Sequence, residues 1–344
     1  MRMPSLQVAL LPGCDPALFL RVEAGLLARG HAEPLLVVAS FATPVMLLGR
    51  HQRASSVVDL AAVRSRGLPL LRRAGGGRCL LAAKGTAAVF LYTPPGEVLV
   101  APAFPADRIT NRYVRGLLSA LRSLGAERAA YFGRDFVSAD KRQLAIVSQE
   151  ATGAGALAFE AFVPMEQSLA LPPELAAGPS HSDTRAGGPP AASLSEFSGG
   201  PVAFDALAAA LAEGWGKLSG RERAPLAGQL PEGELPPAQE DEVGLSGSGP
   251  VEIPIGFLEV LTGVAAGRLV GPRLRGEFIS PAETVRALEL ALEGAPLDEA
   301  EIGRRVDAAF HGPAAFLHGV RELGTVALAV MAAGTSAAVA TGVA

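Results

Sequence analysis

Leu68-Pro69-Leu70-Leu71-Arg72-Arg73-Ala74-Gly75-Gly76-Gly77-Arg78 is the densest stretch of this 344-residue chain. A short apolar run that reads as a strand ends in two arginines, three glycines and a third arginine. Consecutive glycines leave backbone N–H groups uncovered, and the guanidinium groups beside them supply charge, a pairing suited to a phosphate or carboxylate. The same residues also suit a plain glycine turn between strands with solvated arginines, and the triple glycine alone leaves both readings open. It is neither a Walker A nor a Rossmann loop, because no GK[ST] follows and no helix pattern opens after Gly77.

Twenty residues upstream, Leu47-Leu48-Gly49-Arg50-His51-Gln52 reads as a strand end that delivers a cation, an imidazole and an amide. Downstream, Gly133-Arg134-Asp135-Phe136-Val137 precedes a polar turn at Asp140-Lys141 that feeds the strand Arg142 to Gln149. Around these, the pattern predicts a helix from Asp15-Pro16 to Gly30, strands over 35–40 and 45–49, and a capped helix over 59–67. It continues with strands over 68–73 and 86–92 and an amphipathic helix ending at Gly125. Strands follow around 129–138, 143–149 and 157–163, then a helix over 204–220.

Charge divides the chain. Residues 1–150 carry 19 Lys and Arg against 10 Asp and Glu, and residues 151–344 carry 11 against 24, so the first half suits an anionic ligand or an acidic protein partner. The cations are dispersed, aromatics make up only 5% of residues, and RNA-recognition signatures are absent, so no nucleic-acid partner is expected. Two cysteines without a CxxC pattern and five scattered histidines predict neither a disulfide framework nor a metal site. The amino terminus lacks a signal-peptide pattern, and the uncharged 323–344 segment lacks the Leu/Ile/Phe density of a membrane span. A cytoplasmic monomer that makes no membrane contact is expected.

In this order the segments resemble the lipoate-protein ligase family, over residues 15–200. The family pattern is a strand ending in G-R-x-Q, then R-R-x-S-G-G-G, then G-R-N-D and a G-R-K-[IV]-[SA]-G strand. It is met here by Gly49, Arg50 and Gln52, by Arg72, Arg73 and Gly75 to Gly77, by Gly133, Arg134 and Asp135, and by Arg142 to Gln149. Arg275-Gly276-Glu277-Phe278 and the Leu-rich segment ending in Leu292-Glu293-Gly294 look like the family's accessory domain.

The resemblance implies an α+β fold: a class II aminoacyl-tRNA synthetase and biotin ligase-like catalytic domain with a mixed, largely antiparallel sheet, plus a small α+β C-terminal domain. The divisions expected are 1–220 (catalytic), 221–250 (linker), 251–322 (accessory) and 323–344 (an Ala/Gly-rich tail). The implied reaction joins lipoate, or a related acyl acid, to a lysine of an acidic lipoyl domain through an acyl-adenylate, with ATP and Mg²⁺. In that reading Arg50, His51, Gln52, Arg72, Arg73, Gly75, Gly76, Gly77 and Lys84 bind substrate. Arg78, Gly133, Arg134 and Asp135 face the nucleotide, and Lys141, Arg142 and Gln143 occupy the catalytic strand.

Gln143 stands where the family places a lysine, and a glutamine donates a hydrogen bond without carrying charge. Losing one charge-assisted contact to a developing oxyanion costs on the order of 2.7–4 kcal/mol. Ile146 stands where the family has glycine, and the loop Gly77 to Gly85 is one residue longer and lacks a histidine. Three functions therefore remain. The first is an ATP-dependent ligase with a substitute cation, and the second a degenerate ligase that binds an acyl ligand or a lipoyl domain without catalysis. The third is an acyltransferase that works without cysteine, since Cys79 is off the transferases' cysteine position, which falls within 161–164.

Overall fold

The computed structural model describes residues 5–101, 105–177, 190–238 and 244–340. β1 (Leu6–Cys14) leads into α1 (Pro16–Arg29). The Asp15 carboxylate caps that helix by accepting from the Ala17 amide, Pro16 takes its first position, and Gly30 at φ +76° ends it. β2 (Leu35–Phe41) then runs parallel to β1. β3 (Val45–Leu48), the single turn α2 (Ala54–Val57) and α3 (Leu60–Ser65) follow, the last capped by Asp59. β4 (Leu70–Arg72) and β5 (Leu80–Ala82) flank β3 in a separate three-stranded sheet, and the glycine segment connects them.

β6 (Ala87–Thr93), α4 (Ile109–Ser123), β7 (Ala130–Tyr131), β8 (Phe136–Ala139), β9 (Arg142–Ala151) and β10 (Leu157–Val163) continue the chain, followed by α5 (Ser195–Ser198), α6 (Phe204–Ser219) and β11 (Arg223–Pro225). The main sheet is ordered β11-β1-β2-β6-β10-β9-β8-β7, parallel at its β11-β1-β2 end and antiparallel elsewhere. One face packs on α4 and α6, where the fully buried Trp215 meets Phe159 edge-on and donates to the Tyr113 carbonyl at 2.8 Å. Gly116 lets the helices close, since a Cβ there would lie 2.5 Å from the indole nitrogen. The other face packs on α1 through Phe19, Phe41 and Phe162, with ring centroids 6.0–6.4 Å apart.

The C-terminal region holds β12 (Ser246–Gly247), β13 (Val251–Ile253), β14 (Gly256–Ala265) and β15 (Arg268–Gly276), all paired on β14, with α7 (Ala282–Leu292), α8 (Glu299–Ala309) and α9 (Gly324–Ala340). Among the described residues no helix is long and apolar enough to cross a membrane. The described part of the 323–344 segment is helix α9, which buries Val326, Ala329, Val330, Ala333 and Ala337. Its lack of charge is that of a packed helix rather than of a tail.

Two further elements differ from the sequence reading. Residues 223–238, inside the segment read as a linker, form β11 and then a strap across α1. Gly233 donates to the Arg21 carbonyl at 2.7 Å, Arg21 pairs with Glu232 at 2.9 Å, and Leu226, Leu230 and Leu235 pack on the core. Ser280 and Glu283 have the three-residue spacing of a capping box but do not form one. Ser280 donates instead to the Phe316 carbonyl at 2.7 Å, and Glu283 accepts from Gly153, because the start of α7 is docked against the catalytic half. Asp298, with Glu301 at the same spacing, does cap α8, the Glu301 amide donating to its carboxylate at 2.8 Å.

Candidate functional site

The glycine corner is enclosed on three sides. A Cβ on Gly75 would sit 2.5 Å from the Ser148 hydroxyl and 2.6 Å from Glu160 of the sheet beneath, and one on Gly76 would sit 2.5 Å from the Phe278 carbonyl above. One on Gly49 would collide with the Gly77 carbonyl. Gly77, at φ +88°, donates its amide to the Phe278 oxygen at 3.0 Å. The glycines here permit close backbone approach from both halves of the chain. Gly76→Ala is therefore expected to cost about 1–3 kcal/mol by overpacking. It should also accelerate amide exchange at Gly77 and at Gly276, whose amide donates to the His51 carbonyl across the same contact.

The residues after β3 complete this contact. Gln52 accepts from the Gly49 amide at 2.8 Å and donates to Glu277 at 3.3 Å. His51 stacks on Phe278 at 4.8 Å, and its Nε2 lies 2.8 Å from the Ser280 carbonyl, which requires the proton on that nitrogen. Burial holds the imidazole pKa down to about 3, opposed by the Ser280 bond and reinforced by Arg50, Arg275 and Arg72, so the ring is neutral.

Two arginines of the segment serve the backbone. Arg72 donates to the carbonyls of Gly49, Arg50 and Gln52 and of Pro237 and Ala238, tying the corner to the strap. Arg73, with no exposed surface, donates to the Gly76 and Arg78 carbonyls, pairs with Glu160 at 3.3 Å and lies over the Phe162 ring. Glu23 of α1 adjoins Glu160. Burial raises both carboxyl pKa values, Glu160 adds its charge against Glu23, and Arg73 holds Glu160 lower, so Glu23 keeps the proton.

Arg78 grips Asp135 in a bidentate pair, 2.6 and 2.8 Å, both side chains buried, and donates its Nη1 to the Gln143 Oε1 at 2.9 Å. Register explains the meeting: Asp140 and Lys141, both at positive φ, form the two-residue turn that sets Ser138 opposite Gln143. Lys141 is consequently exposed at the turn. Arg142 points the other way, pairing with Glu196 at 2.7 Å and donating to the Ala191 carbonyl. Lys84 is exposed on the turn between β5 and β6, Gly133 is exposed, and Arg134 donates to the Pro254 carbonyl at 2.8 Å. Ile146 pairs with Phe162 across the strands, and the space lined by Gln143 and Ile146 is about 10 Å³, room for no more than one water. Among the described residues no three carboxylate, imidazole or thiol groups gather to hold a metal.

A larger cavity of about 510 Å³ adjoins the corner at Ala74, lined by Arg50, Arg72, Glu150, α1 and the strap. The sequence reading missed the buried carboxyls Glu23, Glu150 and Glu160. Their signal was a lone acid inside an apolar run, as in Leu157 to Val163, which costs free energy unless it is paired or neutral.

Residues 15–170 match the lipoyl protein ligase A/B catalytic domain. That part of the chain belongs to this family. Outside it the likeness is one of fold. LipL1 of Plasmodium falciparum, solved with lipoate, superposes at TM-score 0.69 with 11% identity, over 94% of this chain and 99% of that one. A bipartite lipoate protein ligase of Thermoplasma acidophilum, studied with its E2 lipoyl domain, gives 0.55 and 16% over 65% and 88%. A lipoate-protein ligase A bound with ATP gives 0.51 and 16% over 66% and 90%. No curated protein sequence matches the chain. The ligase-family domain thus has the α+β fold of the lipoate ligases, here joined to a second α+β unit.

Proposed function

We propose that this protein recognises a lipoate-type acyl group, or the acidic lipoyl domain that carries it, on a ligase scaffold whose adenylation step is disabled. One observation carries the reading. At the position where the family places a lysine, Gln143 is neutral, and the cation beside it, Arg78, is balanced by Asp135 in a buried pair. The group of three has no net charge to offer a developing oxyanion. The space that Gln143 lines together with Ile146 among the described residues is about 10 Å³. The free thiols of Cys14 and Cys79 support a reducing compartment, and we assign the protein to the cytoplasm as a monomer.

A second reading rests on the same hydrogen bond: Arg78 brings a guanidinium to the Gln143 position, which would serve an ATP- and Mg²⁺-dependent ligase. The two are separated by supplying the purified protein with lipoate, octanoate or biotin, Mg-ATP and a lipoyl domain, and following pyrophosphate and acceptor mass. We expect no pyrophosphate and an unmodified acceptor, while calorimetry detects the acyl-adenylate or the lipoyl domain. Pyrophosphate release that disappears in Arg78→Gln would establish the ligase instead, and acceptor acylation without ATP a transferase.

Gln143→Lys alone should not restore chemistry, because the new ammonium would face Arg78. With Arg78→Gln and Asp135→Asn added, the ammonium gives these three positions a net positive charge, and a gain on the order of 10²- to 10³-fold over the single variant is expected.

A further inference from the structure

We propose that the seat of α7 beside the glycine corner is a latch gated by protons: it is closed when Glu150 carries a proton and His51 carries no charge, and it loosens as the pH rises past neutral. The inference goes beyond the binding reading above, because it concerns access to the corner and holds whatever ligand the corner takes.

Residues Ser280 to Glu283, which lead into α7, are held by the first half of the chain at three points. The His51 Nε2 donates to the Ser280 carbonyl at 2.8 Å, the Ala282 amide donates to the Glu150 Oε1 at 3.1 Å, and the Gly153 amide donates to Glu283 at 2.7 Å. Ala282 and Glu283 also line the 510 Å³ cavity, so their release widens the space beside the corner. His51 and Glu150 are both buried in this contact, 6% and 5% exposed. The Glu150 Oε1 accepts from two amides, those of Ala151 and Ala282, but its Oε2 has no hydrogen-bond partner. Ionised, that oxygen would be a bare buried charge, whereas water solvates it once the seat opens, so a proton on Glu150 favours closure. His51 is the reverse case. It stacks on Phe278 and is faced by Arg50, Arg275 and Arg72, and a second proton on the ring would set a fourth cation among them, so the neutral ring favours closure.

The charged groups around Glu150 come from every neighbouring element. Arg50, beyond β3, favours its ionised form and Glu283 of α7 opposes it. Arg72 of β4 is engaged by backbone carbonyls, and Glu234 of the strap is exposed and screened by solvent. On β10, Glu160 pairs with Arg73, and Glu23 of α1 adjoins it. Burial raises the Glu150 pKa to about 8 in the closed seat, and the Ala151 amide, Arg50 and the Ala282 amide oppose the rise. Burial likewise brings His51 down to about 3. In the open seat both return to ordinary values, about 4.3 and about 6.5. The closure contributed by the Glu150 proton is fully present below about pH 4.3 and is lost as the pH rises to about 8. The closure contributed by neutral His51 is present above about pH 6.5 and is lost as the pH falls to about 3. The two oppose each other between about pH 4.3 and 6.5. From about pH 6.5 to 8 only Glu150 acts, one proton leaves on opening, and opening is favoured about tenfold per pH unit.

The test is amide hydrogen exchange on the full chain from about pH 4.5 to 9, expressed as protection relative to an unstructured chain. It is read at Gly77, Gly153, Gly276 and Ala282, whose amides donate across the contact between the two halves. Wild-type protection should stay level from about pH 4.5 to 6.5 and then fall about tenfold per unit up to about pH 8. In the isosteric Glu150→Gln the fall above neutral pH should vanish. In His51→Gln, which keeps an amide donor for Ser280, protection should go on rising as the pH drops through the acid range, because the opposing group is gone. Near-UV circular dichroism confirms that each variant is folded. Level wild-type protection between about pH 6.5 and 8 would overturn the latch whether or not the variants fold, and so would a fall of the same size in Glu150→Gln.

Discussion

Asp135→Ala is expected to lower the stability of the first half of the chain by about 3–5 kcal/mol, because it takes a bidentate carboxylate away from the buried Arg78 guanidinium. Arg78 and Asp135 are both essentially inaccessible and share two hydrogen bonds of 2.6 and 2.8 Å. The bond to Gln143 and the face of Phe136, which the guanidinium also meets, do not replace the charge of that carboxylate. Urea unfolding reads the loss as a lower midpoint at unchanged slope. The double variant Asp135→Ala/Arg78→Met removes both charges and is expected to recover most of it, since a buried ion pair is replaced by apolar groups at little net cost. A single-variant loss below 1 kcal/mol would mean that water reaches the pair.

Glu160→Ala should be comparably severe, again about 3–5 kcal/mol, for the same reason applied to Arg73. It also removes the charge that faces Glu23. The pH dependence of that cluster has a definite sign. Burial and the Glu160 charge raise the Glu23 pKa above its unfolded value, so the folded protein binds this proton more tightly. The associated stability is fully present below the unfolded carboxyl range, near pH 4.3, and is lost as pH climbs toward the raised folded value. Glu23→Gln keeps the shape of the side chain with no proton to lose. Stability measured from pH 4 to 9 should therefore fall for wild type relative to Glu23→Gln. Parallel curves for the two proteins would show that Glu23 is ionised in the fold.

These two clusters show how local and long-range information divide. α1 was legible because Asp15, Pro16 and Gly30 act within one turn of the helix ends, and the spacing of Leu18, Val22 and Leu26 follows its period. β2, β6, β9 and β10 were legible as apolar runs between turn residues. β1 was not, because its Pro12 and Gly13 read as a turn and its pairing with β2 and β11 forms only in the sheet. The candidate residues fell into three groups for a related reason. An arginine can be read from sequence as a cation, but what it faces depends on carbonyls and carboxylates far along the chain.

Alone, then, the sequence determined most of the longer helices, most strands, the order of the family's motifs and the loss of the lysine at position 143, all of which depend on residue type and near spacing. Tertiary structure decided that Arg72 and Arg73 hold the backbone, that Arg78 is neutralised by Asp135, and that Phe278 covers the glycines. It also left Arg50 and Glu150 together over a cavity. Whether a charge is spent or available depends on burial and on partners brought close only by folding, and neither is encoded in any short stretch of the chain.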